Sequence, residues 1–495
     1  MLTRPRSLAF LLSVSVMTGC AVGPDYRAPE TSLSARFLGQ DSVEQRQAQN
    51  SAELQAWWAS FDDPLLTRFV TLALEQNLDI AQAAARVVQA RGSLHLADAA
   101  LLPSANVSAQ GAKAYQSIET PLGQVLNSTP DFDRSGSAYE ADLVAGWEID
   151  LFGGLRRGRE AAHAAYAASE AGAVATRLAV AAQTADLYVT IRGLQARIAI
   201  AEQQAQTRRR LLDTIRFQYE KEIAAELQVN QAEGSLAQVE ARIPVLEAGL
   251  DAAMNALDVL LGAQPGTYRN ELTPVAPIPL APALAETGTP AEMIRRRPDL
   301  IVAERRLAAA NARIGVAISE YYPKFSLGAL LGSATTISSG NLFSGDANQA
   351  QGVLGLRWRL FDFGRVEAQI AAARGQEAEA LAAYRLAALR ATEEVENAFS
   401  ALIKREAQFG ILTRGETYLA RARENSLAAY EGGVVSLIEV LNADSNLLQV
   451  SDAKAQAQTE ATRAAIVSFR ALGGGWDPRK ASDLSTPSFS GNNQR

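Results

Sequence analysis

Cys20 is the only cysteine in the 495 residues, and so the only thiol with which this chain could do covalent chemistry. Before it stand the basic residues Arg4 and Arg6, an apolar run from Leu8 to Val16, and Met17, Thr18 and Gly19. A run of about nine residues is too short to cross a bilayer as a helix, so residues 1–19 read as a secretory leader. Small residues before a cysteine there admit a signal peptidase that leaves Cys20 first, its thiol taking a diacylglycerol and its freed amine a third acyl chain. At about 0.8 kcal/mol per buried methylene, several chains make a permanent anchor. The expectation is a covalent lipid on Cys20 and no other cofactor, an ordinary leader with an incidental cysteine being the alternative. Ala21 stands where an Asp would signal inner-membrane retention, which directs the chain toward outer membrane lipids. The two histidines, His95 and His163, lie far apart in no metal, phosphate or nucleophile motif, which argues against an enzyme and gives no metal site.

What would carry such an anchor is mostly helix. Hydrophobic residues make up 48% of the chain but aromatics only 6%, a balance that suits long, closely packed, Ala-rich helices. A net charge of −7 offers no general attraction to nucleic acid. No apolar stretch after the leader approaches the roughly 20 residues of a spanning helix, so any membrane crossing falls to strands.

The chain also contains itself twice. Tyr219-Glu220, Gln228-Val229, Leu236, Gln238 and Val239 return as Tyr430-Glu431, Glu439-Val440, Leu447, Gln449 and Val450. Upstream, Trp147 with Phe152-Gly153 returns as Trp358 with Phe363-Gly364, and Pro103 as Pro323. Each half therefore reads helix, Pro break, strand pair, Gly junction, very long helix, tight turn, return helix, an internal duplication about one axis.

Within the long helices, Leu187, Ile191, Leu194, Ile198, Ala201, Ala205, Arg208, Leu212, Ile215 and Tyr219 step by fours and threes, a heptad seam interrupted only by Arg208. Leu236, Val239, Ile243, Leu246, Leu250, Ala253, Leu257 and Leu260 repeat it on the return, with a break expected at Pro244. These seams predict antiparallel coiled-coil hairpins; alone they fit a soluble bundle equally well. Between Tyr139 and Leu151 the odd positions are apolar and the even ones include Glu140, Asp142, Glu148 and Asp150. Leu354, Leu356, Trp358 and Leu360 alternate with Arg357 and Arg359, and Phe325, Leu327, Ala329 and Leu331 mark another strand. Such alternation suits a barrel with lipid outside and water within, Trp147 and Trp358 serving as membrane-interface aromatics, although a half-buried soluble sheet alternates too. Four strands cannot close, because barrels of this kind start at about eight and open edges in hydrocarbon leave backbone groups unsatisfied. Three copies would give twelve strands under cyclic symmetry.

The residues resemble a known family. GCAVGPDYRAP from Gly19 to Pro29, Trp57-Trp58 with Phe61-Asp62-Asp63-Pro64-Leu65, Asn77-Leu78-Asp79, RRRPDL from Arg295 to Leu300, and WRLFDFGR from Trp358 to Arg365 are similar to the TolC-like outer membrane efflux factors. Within them the chain most resembles the lipoprotein branch that serves resistance-nodulation-division pumps, and the likeness covers essentially the whole chain. It implies an α+β membrane protein, a homotrimeric channel-tunnel with a shared twelve-stranded β-barrel and a long antiparallel α-helical coiled-coil barrel. It further implies a passive conduit, lipid-anchored in the outer membrane and extending into the periplasm. A periplasmic adaptor and an inner-membrane resistance-nodulation-division pump would be its partners, and small toxic compounds its cargo. Type I protein secretion is the alternative cargo.

By the same resemblance, hairpin turns close the periplasmic end. Glu439 falls where members often carry an acidic ring residue, and Ile438 could form an apolar ring. Asn442 departs from the Asp common there, and Gln228 and Gln231 are the first-half equivalents. The expected organisation is a leader (1–19), an anchored segment (20–68), a first repeat (69–262), a Pro-rich linker (263–289), a second repeat (290–472) and a flexible tail (473–495). Arg156, Arg157 and Arg365, near helix starts where the dipole disfavours cations, have no explanation in the sequence.

Overall fold

The computed structural model describes residues 21–30, 34–46, 51–284 and 288–477. Cys20, the leader and the tail beyond 477 lie outside them. In chain order the main elements are α1 (Pro64–Gln76), α2 (Leu78–Ala99), β1 (Ser104–Tyr115), β2 (Ser135–Ile149), α3 (Gly154–Glu220), α4 (Glu226–Glu240), α5 (Ile243–Leu260), α6 (Pro298–Ser319), β3 (Lys324–Thr335), β4 (Asn348–Arg357), α7 (Arg365–Glu431) and α8 (Leu437–Ala471). A 22-residue helix, two strands and a 67-residue helix thus occur in that order twice, as α2-β1-β2-α3 and as α6-β3-β4-α7. The return helices differ. The second is one 35-residue helix. The first breaks at Ala241 and Arg242, and Pro244, which has no amide donor, occupies the opening turn of α5.

The chain forms two compact units, each from separate stretches. The first takes Val88–Ala168, Glu304–Ala383 and the segment ending at Pro29. At its heart is one antiparallel sheet in the order β1-β2-β3-β4. Pro103 and Pro323 directly precede β1 and β3, each ending the helix before it. The register sorts the side chains into two faces. Val107, Leu143, Leu331 and Ala350 fall in one cross-strand row, and Ala105, Ala145, Ala329 and Gly352 in another, so the apolar face runs unbroken over all four strands. The opposite face carries Ser108, Asp142, Gly332 and Gln349 in one row.

One strand is shorter than the sequence predicts. The alternation runs on through Trp358 and Leu360, but β4 ends at Arg357. Arg357 pairs with Lys324, so the next pair would set Trp358 against Pro323, which has no N–H to give. β2 meets the same obstacle at Pro103 yet continues to Ile149, because β3 supports its other edge through Trp147↔Leu327 and Ile149↔Phe325.

The second unit takes Glu30–Val87, Ser169–Ala303 and the chain from Tyr384 onward. Its core gathers Trp57, Phe61, Leu66, Phe69, Tyr188, Leu257, Val395, Phe399 and Phe469, all buried. Trp57 stacks on Phe469 at 5.4 Å between centroids and meets Trp58 and Phe61 edge-on. Small residues let the long helices approach closely: a Cβ on Gly193 would lie 2.3 Å from the Thr459 hydroxyl. The predicted seam is visible as the buried residues Ala201, Ala205, Arg208, Leu212 and Ile215 facing Ala232, Leu236 and Val239, joined by Leu437, Leu441 and Leu448 of α8.

Candidate channel wall and hairpin tips

The candidate residues fall into three groups. The first is the sheet. Both tryptophans sit at the end of the sheet where β1 and β3 begin, and both tie down the chain just before a proline. Trp147 Nε1 donates to the Leu101 carbonyl at 3.0 Å and Trp358 Nε1 to the Tyr321 carbonyl at 3.1 Å, their rings partly exposed. An indole with its N–H satisfied and its ring outward suits a boundary between apolar and wet surroundings. On the polar face Asp142 is buried over Gly332, whose missing side chain makes the room, and Gln349 donates to Asp142 at 2.8 Å and to Glu140 at 3.4 Å. The acidic row predicted from the even positions is therefore partly hydrogen-bonded within the sheet.

The second group lies where β2 passes into α3, and here two of the three unexplained arginines, Arg156 and Arg157, find their roles. Arg156 gives its backbone N–H to Asp150 at 2.8 Å, and its side chain meets the same carboxylate at 3.4 Å. Asp150 thereby caps the helix start and offsets the unfavourable cation. Arg157 has a nearly buried side chain that gathers the chain after Cys20. It donates to the carbonyls of Val22 (3.1 Å) and Gly23 (3.2 Å), to Asp25 (2.7 Å) and to Glu160 (2.8 Å). The Val22 N–H donates to the Phe152 carbonyl at 3.0 Å, and the Tyr26 hydroxyl reaches Glu304 at 2.5 Å. Gly23 adopts φ of +96° with Gly315 beneath it, where a Cβ would come within 2.5 Å of backbone. Residues 21–26 therefore form a fitted strap, not a loose tether. Sequence inspection missed it because its donor and acceptors lie more than a hundred residues apart, at Arg157 and at Val22 to Asp25. Arg365 heads α7, where the Asp362 carboxylate accepts from the amides of Gly364 and Val366.

The third group is the hairpin tips, in the second unit. α3 and α7 end alike. Glu222 (φ 59°) and Gly433 (φ 73°) take left-handed conformations, and the amides of Ile223 and Val434 reach back to the carbonyls of Gln218 and Ala429. Ile223 and Leu227 on one tip and Val434 and Ile438 on the other are exposed. Glu439 is exposed in the first turn of α8, where the helix dipole favours a carboxylate, and Asn442 is exposed one turn later. Gln228 is half-buried and its Oε1 accepts the Ala225 N–H at 3.0 Å, capping α4; Gln231 is half-buried beside it. Glu439, Asn442 and Ile438 thus present free surface, whereas Gln228 is engaged in its own turn.

Behind the tips lies a polar cluster that the sequence signalled only as a charge at a seam position. Arg208 is buried between the two hairpins, donating to the Ser235 carbonyl at 2.8 Å and to the Ser445 hydroxyl at 2.9 Å. Burial pushes its guanidinium below the ordinary arginine range. Asp444, also buried, accepts from Arg423 at 3.0 Å, while its other oxygen has no hydrogen-bond partner among the described residues. Above it, burial raises the Glu416 carboxyl, but hydrogen bonds from Lys454 and Ser451 outweigh that and hold it below the ordinary range.

Comparison with known proteins decides what these parts belong to. A sequence profile described as outer membrane efflux protein matches residues 69–263 and 289–474. The chain belongs to the outer membrane efflux protein family. It is 30% identical to nodulation protein T of Rhizobium leguminosarum bv. viciae over 89% of this chain and 87% of that one. It is 28% identical to the toluene efflux pump outer membrane protein TtgC of Pseudomonas putida, covering 95% of each. Among solved structures, the outer-membrane channel OprN shares 31% identity and superposes with a TM-score of 0.83, over 92% of this chain and all of that one. The protein is therefore an efflux conduit of the outer membrane, mostly helical with a small four-stranded sheet, as the resemblance in its residues implied. No described helix is long and apolar enough to cross a membrane.

Proposed function

We propose that three copies of this chain form a passive channel-tunnel that carries small toxic molecules from an inner-membrane pump, through a periplasmic adaptor, to the exterior. The observation that carries this is the sheet. It has four strands, one continuous apolar face, and an unpaired edge on each of β1 and β4 among the described residues. In hydrocarbon each unpaired backbone group is unfavourable by several kcal/mol, so the edges must find each other, and three copies close a twelve-stranded ring. The repeated helix, strand pair and 67-residue helix fit an internal duplication that places two coiled-coil hairpins per copy around the same axis. Toluene, named for the relative in Pseudomonas putida, is a small apolar compound, and it supports small-molecule cargo here.

Within this assembly Cys20 carries the lipid, and the strap leading from it to Arg157 fixes the anchored end against the sheet. Trp147 and Trp358 mark the membrane boundary. Glu439, with Ile438 and Asn442, rings the axis at the closed periplasmic end, with Gln228 and Gln231 beside it. Three carboxylates around one axis repel, so divalent cations gather there and block the passage. Purified protein in planar bilayers tests the whole: discrete single-channel steps are expected, and a silent, fully folded preparation would overturn the conduit.

A further inference from the structure

The repeat places two equivalent grooves in the second unit, and one of them shows how such a groove is filled. The offset that carries Tyr219 onto Tyr430 also carries Gln195, Ile198, Glu247, Leu250 and Asp251 onto Glu406, Phe409, Gln458, Ala461 and Thr462. The first set lines a cavity of about 410 Å³ between α3 and α5, and the second a cavity of about 610 Å³ between α7 and α8. The α7–α8 groove is filled by the chain itself. Gln458 donates to the Ile278 carbonyl at 3.4 Å and Thr462 to the Pro279 carbonyl at 2.8 Å, which holds the stretch from Pro277 to Pro282 along it. Arg46 enters beside that stretch with its side chain only 4% exposed, donating to Glu406 at 2.7 Å and to the Pro282 carbonyl at 2.6 Å.

In the α3–α5 groove the same positions have the opposite hydrogen-bonding character. Gln458 and Thr462 are replaced by Glu247 and Asp251, carboxylates that only accept. Asp251 is paired with Arg269. Glu247 is exposed, has no ion pair among the described residues, and shares the cavity with a second such carboxylate, Glu202. The rungs of the hairpin below it run differently. Arg216 pairs with Glu233, and one heptad higher Arg209 pairs with Glu240; one heptad higher again, Glu202 stands against Glu247, two like charges where the pattern sets a cation against an anion. Beneath them Met254 is buried and Ile198 and Leu250 are half-buried, an apolar floor.

We propose that the α3–α5 groove receives an extended segment of a partner protein that carries arginine or lysine among apolar residues. Its cation sits between Glu202 and Glu247, as Arg46 sits on Glu406 in the other groove, and its apolar side chains rest on Ile198, Leu250 and Met254. Carboxylates cannot donate to carbonyls, which rules out an occupant gripped as Pro277 to Pro282 is. The site is separate from the hairpin tips, since Glu202 stands roughly 27 Å of helix before Glu220, the last residue of α3.

Fluorescence anisotropy tests this with the full-length protein in nanodiscs and a labelled probe peptide, Pro-Leu-Arg-Pro-Leu-Arg, whose prolines keep it extended. Saturable binding with a Kd below about 1 mM is expected, and no binding of the counterpart Pro-Leu-Glu-Pro-Leu-Glu. Glu202→Gln combined with Glu247→Gln, both at exposed positions that leave the fold intact, should weaken binding of the arginine peptide at least about fivefold. Asp213→Asn combined with Glu220→Gln removes the same charge from exposed positions elsewhere on α3 and should change affinity less than about twofold. Failure to saturate, equal binding of the two peptides, or a loss no greater in the first double variant than in the second overturns the docking site. A gain in affinity of about tenfold or more when Arg479, Lys480 and Arg495 of the full chain are replaced by Ala would assign the groove to the chain's own carboxy-terminal segment and overturn the partner.

Discussion

Arg157→Ala should release the strap while leaving the rest of the first unit folded. Two of its bonds end on backbone carbonyls, and a hydrogen bond from a charged donor contributes about 1.5–3 kcal/mol. The Val22 and Gly23 carbonyls border solvent, so the low end applies to each. Its other partners, Asp25 and Glu160, are 89% and 43% exposed, and such pairs add at most about 1 kcal/mol each. These contributions share one guanidinium and do not add in full, and the entropy of ordering residues 21–26 is common to both proteins, so the sum is an upper bound. A net loss of about 2–3 kcal/mol remains, which multiplies the open fraction of the strap roughly 30- to 150-fold. Hydrogen exchange reads this directly, because the Val22 amide is held by the Phe152 carbonyl. Its exchange should accelerate by that factor while amides in α8 stay unchanged. Arg157→Lys should recover only part, since an ammonium lacks the planar fork that reaches several acceptors. If Val22 exchange in Arg157→Ala stays within about threefold of wild type, the strap is held by something other than this guanidinium.

Three further outcomes are expected. Trp57→Ala removes a fully buried ring stacked on Phe469 and should destabilise the second unit by about 3–5 kcal/mol in denaturant unfolding. Burial, then the hydrogen bond to Asp63, pushes the Tyr188 hydroxyl up to about 12. A phenol whose folded value lies above the unfolded one, about 10, contributes stability that is intact below pH ~10 and lost as pH rises toward ~12. That loss should reach up to about 3 kcal/mol in wild type and be absent in Tyr188→Phe, seen in unfolding midpoints across the alkaline range. Glu439→Ala should weaken block by divalent cations in single-channel recordings, and an unaltered block would assign Glu439 to solvated surface.

Much of this was legible in the sequence because the patterns involved are local. Heptad spacing gave the buried line from Ala201 to Ile215, period-two alternation gave the faces of β2 and β3, and the prolines at 103 and 323 gave the points where helices hand over to strands. Pro244 marked the break in the first return helix. What escaped depends on residues brought together from far apart. Nothing near Trp358 shows that β4 stops at Arg357, because the cause is a missing donor at Pro323 on the neighbouring strand. The role of Arg157 depends on carbonyls near the amino terminus, which any sequence could supply. Gln228 stood in the sequence only as the first-half equivalent of Glu439, yet its side-chain amide closes the turn that makes the tip. Arg208 was visible only as an interruption of the seam, and its function as a bridge needs Ser235 and Ser445 from two different helices.

The mass of the intact particle in mild detergent tests the central claim most directly, namely that a single chain supplies only part of the wall of its channel. Native mass spectrometry of the lipidated protein should give three chains per particle, with no folded single chain on dilution. A stable, folded single chain that conducts ions by itself would contradict the account.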